Sequence, residues 1–161
     1  MKKKLAGLRA KRNGQRGEYI MENTAKFFDS VLIYKRYEPY KRISKSSAGK
    51  SFRAVYTEKS GCDYSVFLRD GRAGMIEVKT RQSRINKSAI DETQHHQLLD
   101  LKALGHFAYV LICIESNWIL IDYHTFLDTD KRSYTRAQLL EIGGYHIIEE
   151  DGILVNLLEH L

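Results

Sequence analysis

Two alternating runs, CDYSVFL (62–68) and AGMIEVKT (73–80), flank Arg69-Asp70-Gly71-Arg72, a spacing that admits few local structures other than a β-hairpin. The register is decided by the turn. With Asp70-Gly71 as a two-residue turn, Arg69 would pair with Arg72, and Asp63 would face Val78. Glu77 and Lys79 would then point to the opposite face. With a three-residue loop, Arg69 and Asp70 form a type I turn and Gly71 takes the left-handed position, so Leu68 pairs with Arg72. Asp63 then lies opposite Glu77. In this register Tyr64, Val66, Ile76 and Val78 share an apolar face and Asp63, Glu77 and Lys79 share the other; a one-residue slip would scramble both sets.

Two acids and a lysine so placed are the set needed to hydrolyse a phosphodiester. Carboxylates can hold Mg²⁺, the metal lowers the pKa of a bound water, and the lysine steadies the nucleophile or the developing charge. Opposed carboxylates repel each other, an objection that a bound divalent cation removes. The plainer alternative makes Glu77 and Lys79 an exposed pair on an edge strand. The register set by Gly71, the apolar partner face and the adjoining basic cluster favour the site.

The 161 residues suit one domain, and 43% hydrophobic residues suffice for a core. The net charge of +6 is unevenly spread. Lys2, Lys3, Lys4, Arg9, Lys11, Arg12 and Arg16 form an acid-free N-terminal cluster. Lys35, Arg36, Lys41, Arg42, Lys45, Lys50 and Arg53 form a second, and Lys79, Arg81, Arg84 and Lys87 a third. With Tyr34, Tyr37, Tyr40, Phe52 and Tyr56 interleaved, the clusters predict a nucleic-acid partner rather than a merely solvated surface. No apolar run has membrane-spanning length, and Cys62 and Cys113 sit in apolar runs without paired spacing, as free thiols in a reducing cytoplasm would.

Residues 1–16 lack apolar periodicity and are expected to form a flexible basic arm ahead of a single domain over 17–161. Helical spacing predicts an amphipathic helix over 18–28, followed by a strand over 31–37. The basic, Ser-rich 41–50 reads as a loop, part of a projecting excursion at about 41–53. Beyond the hairpin, a helix is expected over 93–104, a doubly covered strand over 106–115, a turn at Asn117, a further strand over 118–123, and a helix over 135–142 closed by Gly143 and Gly144. The order predicts an α/β fold with a mixed central sheet flanked by helices. His95 and His96, adjacent on a helix, cannot grip one metal; His95 is expected in solvent, His96 in a structural or DNA-facing role, and Trp118 in packing.

The runs GCDYSVFLRDGRAGMIEVKT and HHQLLDLKALGHFAYVLI, within a stretch from about Gly17 to Tyr123, resemble the RecU-like Holliday junction resolvases, a family of the PD-(D/E)XK nuclease superfamily. The resemblance implies a restriction-endonuclease-like fold, a homodimer, and a Mg²⁺-dependent endonuclease, with Mn²⁺ able to substitute. Its substrate would be branched DNA, cut by paired nicks in recombination and repair alongside host recombination proteins. It places Asp63 and Glu77 among the metal-binding acids, Lys79 as the catalytic lysine, Gln97 at the metal, and Glu18 as a supporting acid. Residues 44–56 would correspond to a projecting stalk. Where the family has threonines before the first aspartate, this chain has Gly61 and Cys62, with Ser60 the nearest hydroxyl, and the family's proline-rich strand is reduced to Glu38-Pro39. The DNA grip is expected from Lys11, Arg12, Arg16, Lys41, Arg42, Lys45, Lys50, Arg53, Arg81 and Arg84. Two other readings stay open: a generic PD-(D/E)XK nuclease on duplex or single-stranded DNA, and an inert DNA-binding module of the same fold.

Overall fold

The computed structural model describes residues 2–28, 31–36, 40–45, 52–56 and 61–161, with side chains for 15–28, 31–36 and 61–161. In chain order the elements are α1 (Lys2–Phe27), β1 (Val31–Lys35), β2 (Tyr40–Lys45), β3 (Phe52–Tyr56), β4 (Tyr64–Leu68), β5 (Ala73–Arg81), β6 (Arg84–Asn86) and α2 (Glu92–Ala103). They continue as β7 (Phe107–Ile114), β8 (Asn117–Asp122), α3 (Tyr123–Leu127), β9 (Ser133–Thr135), α4 (Arg136–Glu141), β10 (Tyr145–Ile147), β11 (Glu149–Glu150) and β12 (Ile153–Leu154).

The main sheet runs β1-β4-β5-β7-β8-β10. Every pair in it is antiparallel except β5 with β7, which is parallel and needs the crossover through β6 and α2. The mixed α/β architecture flanked by helices is the one expected. β7 is covered on both faces because its apolar run leaves no polar side: Leu111 and Cys113 join the core under α1, while Val110, Ile112 and Ile114 join the core under α2, α3 and α4. Ile20 and Met21 of α1 pack on Val66, Ile76 and Leu111 in the first core. Thr24, fully buried there, donates to the Ile20 carbonyl at 2.8 Å and accepts the Leu154 N–H at 3.0 Å, so its hydroxyl carries no unpaired polarity. Cys62 and Cys113 are buried free thiols and Trp118 is a packing residue, as expected. Among the described residues no helix is long and apolar enough to cross a membrane.

Several boundaries differ from the expectation. Helix α1 begins at Lys2 rather than near Gly17, so the expected arm lies on helical backbone. Its Lys, Arg, Ala and Leu residues favour helix without any apolar stripe. The expected 41–53 excursion is an antiparallel ribbon of β2 and β3, with a bulge between Arg42 and Ser44. The first strand ends at Lys35, with 37–39 outside the described residues. The turn after β7 is Glu115-Ser116, both at positive φ (52° and 65°), and Asn117 steadies it by donating its amide to the Glu115 carbonyl at 2.9 Å. His95 is half-buried rather than solvated. It faces α3, where its Nδ1 lies 2.6 Å from the Tyr123 hydroxyl.

Candidate active site

The turn between β4 and β5 adopts the three-residue form. Leu68 donates to the Arg72 carbonyl at 2.9 Å, Gly71 to the Leu68 carbonyl at 3.1 Å, and Gly71 has φ of +89°. Asp70 accepts the Arg72 N–H at 3.0 Å, closing the turn from inside. The register that follows, Phe67 with Ala73 through Tyr64 with Ile76, brings Asp63 opposite Glu77. There the two residues interlock: Asp63 donates its N–H to the Glu77 carboxylate at 3.1 Å, and the Asp63 carboxylate accepts the Val78 N–H at 3.0 Å.

Unequal strand lengths open the site. β4 has five residues and β5 nine, so β5 runs on through Val78–Arg81 with only β7 beside it. The vacant edge forms an open cavity of about 300 Å³ lined by Glu18, Lys35, Asp63, Glu77, Lys79, Arg81 and Gln94, among others. Glu18 reaches it from α1 and Gln94 from the first turn of α2.

Glu77 is 1% exposed, and burial, followed by the Asp63 charge, pushes its carboxyl up to about 8 despite Lys79 2.5 Å away. Asp63 is also raised, chiefly by burial, against the Val78 hydrogen bond and the Lys79 charge. Cys62, buried next to both acids, is pushed up to about 12 and is an inert thiol. Lys35 is paired with Glu18 at 2.8 Å and Glu22 at 3.5 Å; burial opposes its charge, but the Glu18 and Glu22 contacts outweigh it and its pKa is raised.

The two glutamines of α2 occupy different places. Gln94 donates to Glu77 at 2.8 Å and accepts from Lys79 at 3.2 Å, while also closing a capping box with Asp91. Gln97, expected at the metal, instead accepts the Cys62 N–H at 2.8 Å. A side chain at Gly61, whose φ is +76°, would collide with it. Gln94 is the site residue that sequence reasoning missed. Its signal was present as Asp91 followed three residues later by Gln.

Of the residues expected to grip DNA, Arg81 lines the cavity, Arg84 is exposed on β6, and Arg16 is paired with Glu149 at 3.1 Å. Lys87 is drawn away from such a role, donating to the Leu127 and Thr129 carbonyls at 2.7 and 2.5 Å. The side chains of Lys11, Arg12, Lys41, Arg42, Lys45 and Arg53, and all of Lys50 and Ser60, lie outside the described residues.

Among the described residues no group of three or more His, Cys, Asp or Glu side chains gathers to hold a metal ion. The donor set nevertheless fits Mg²⁺, which keeps several waters and binds through one or two carboxylates. Two adjacent carboxyls, both raised by burial, are a pair whose ionisation a divalent cation would favour.

No family model matches the sequence, and no curated protein matches it. Among solved structures, the chain is similar to Archaeoglobus fulgidus Hjc, a Holliday junction resolvase from an archaeal hyperthermophile. The sequence identity is 13% and the TM-score 0.49, over 80% of this chain and 93% of that one.

Proposed function

We propose that this protein is a Mg²⁺-dependent DNA endonuclease of the PD-(D/E)XK type, acting on four-way junctions by paired nicks from a homodimer. The observation that carries the reading is the buried Glu77 interlocked with the half-buried Asp63, with Lys79 against Glu77, at the open end of β5. A structural ion pair needs one carboxylate; a second beside it, both raised by burial and with the Asp63 charge raising Glu77 further, is costly unless it has a cationic ligand. Asp63 and Glu77 would hold the metal, which when bound supplies an activated water and offsets charge on the phosphodiester. Lys79, fixed between Glu77 and Gln94, directs its ammonium to the attacking water or the developing phosphate charge. Arg81 and the Lys35–Glu18 pair border the cavity where a phosphate would enter. The net charge of +6 suits such a polyanion.

The test compares cleavage of a synthetic four-way junction with that of linear duplex and single strands, with Mg²⁺ and with chelator. Selective, Mg²⁺-dependent junction nicking is expected. Equal cutting of linear DNA would leave a generic nuclease, and binding without cutting would leave an inert module.

A further inference from the structure

The register of the sheet extends the candidate site sideways into a face that α2, α3 and α4 do not cover. Arg36 donates its N–H to the Asp63 carbonyl at 2.7 Å, so Arg36, Asp63 and Glu77 stand in one row across β1, β4 and β5. Two residues along, Tyr34 pairs with Ser65, and Ser65 with Met75; two further, Leu32 pairs with Phe67, and Phe67 with Ala73. Because side chains alternate along strands, these rows share one face. Helices α2, α3 and α4 pack farther along it, over β5, β7 and β8.

Among the described residues, what remains open there is mostly aromatic. Tyr34 is 55% exposed, Phe67 47% and Leu32 57%, and the Tyr34 and Phe67 rings meet edge to face with centroids 6.2 Å apart. Arg36 lies at the end nearest the carboxylates, its guanidinium on the Met75 sulfur at 3.5 Å. Rows two residues apart are separated by about 7 Å, so the aromatic platform begins one such step from the Asp63–Glu77 row.

Two occupants suit an apolar sheet face: a second copy of the chain, or the bases of the strand being cut. Area and charge decide between them. Aromatic side chains bury ~150–250 Å² each, so three large residues half exposed offer roughly 300 Å², well below the ~800 Å² per partner of a stable protein interface. A patch of that size suits one or two nucleobases, and Arg36 beside it complements a phosphate. The only acids in these rows are Asp63 and Glu77, so no other carboxylate in them repels the strand.

We propose that the exposed face of β1 and β4 is a stacking platform on which Tyr34 and Phe67 hold an unpaired nucleobase next to the phosphate entering the Asp63–Glu77 site. It rests on the nuclease reading and deepens it, because the enzyme would then select phosphates flanked by unstacked bases. Branch points and gaps supply such bases, whereas continuous duplex does not.

The probe is a four-way junction and a gapped duplex, each with 2-aminopurine beside the cleaved phosphate, bound with Ca²⁺ in place of Mg²⁺ to read stacking by fluorescence. Wild-type protein should quench the probe in both DNAs. Tyr34→Ala and Phe67→Ala should lose the quenching and, with Mg²⁺, cut the gapped duplex on the order of tenfold more slowly, the scale of one lost base–aromatic stack. Tyr34→Phe should restore both. Light scattering and thermal melting accompany each variant. Unchanged quenching and cutting in both alanine variants would overturn the platform alone. Alanine variants that fall from dimer to monomer would assign this face to a second copy and overturn it as well. A wild-type protein that cuts no DNA with Mg²⁺ would overturn the nuclease reading and the platform together.

Discussion

Gln94 accepts the Lys79 ammonium at 3.2 Å, although the two residues belong to different elements. The same amide donates to Glu77 and to the Gly61 carbonyl. Gln94→Ala would leave those buried groups and the Asp91 cap short of partners, destabilising the fold by roughly 1–2 kcal/mol. It should also slow cleavage, because Lys79 loses one of its two anchors. Gln97→Ala removes one bond to the Cys62 backbone and should lower Tm with a smaller effect on cutting at saturating Mg²⁺. Nicking rates and melting curves of both variants decide the matter. A larger rise in Mg²⁺ requirement for Gln97→Ala than for Gln94→Ala would restore Gln97 to the metal.

Binding and chemistry should separate at Lys79. Lys79→Ala is expected to fold and bind a junction yet cut it about a hundredfold more slowly or worse, the scale of losing one preorganised charge. Glu77→Gln should behave similarly, with residual activity demanding more Mg²⁺. Arg69→Ala, at the exposed tip of the same hairpin, serves as the control. Arg72 is less suitable, being bonded to Asp70 and to the Leu161 carbonyl. Lys79→Ala cutting at the wild-type rate would refute the assignment.

Metal-free protein should lose stability as the solution becomes alkaline. Glu77 titrates near 8 when folded but at its ordinary 4.5 when unfolded, so between those values the folded chain holds a proton that the unfolded chain has released. Stability therefore falls as pH rises from about 5 to 8, and the raised Asp63 acts in the same sense. The lowered Asp70 and the raised Lys35 act at the acid and alkaline ends, outside this window. Mg²⁺ favours the ionised carboxylates and should raise Tm more at pH 8 than at pH 6. Melting curves in chelator and in Mg²⁺ across this range test it, and a chelated protein equally stable at pH 5 and 8 would contradict it.

Gly71→Val should impair both stability and cleavage. A β-branched residue at φ of +89° is strained by roughly 1–3 kcal/mol, although open space surrounds the position. If the strain is relieved by a two-residue turn, the register slips and Glu77 leaves Asp63. Circular dichroism with nicking assays would show a folded but slow variant; wild-type activity would mean that the turn does not set the site.

The hairpin was legible because its signals are local: period-two alternation fixes the faces, and one glycine fixes the register. The mixed sheet was legible for the same reason, since the unbroken apolar run of β7 requires cover on both sides. Gln94 was harder. Gln94 and Gln97 are three apart and stand on one side of α2, so choosing between them needs the height at which the helix crosses the sheet. His95 was misread because its partner, Tyr123, is 28 residues away. The N-terminal part of α1 escaped detection because apolar periodicity reports burial, and a helix can form without it.

The parallel pairing of β5 with β7 carries a further consequence. A chain leaving the end of one strand must return to the beginning of its neighbour, so its connecting segment has to start over the far end of the first. The first turn of α2 is thereby delivered to the edge that β4 leaves vacant. New side chains could enter the reaction centre through substitutions in that turn alone, with no change of strand order, which makes residues 91–94 the natural place for selection or engineering to alter what this scaffold does.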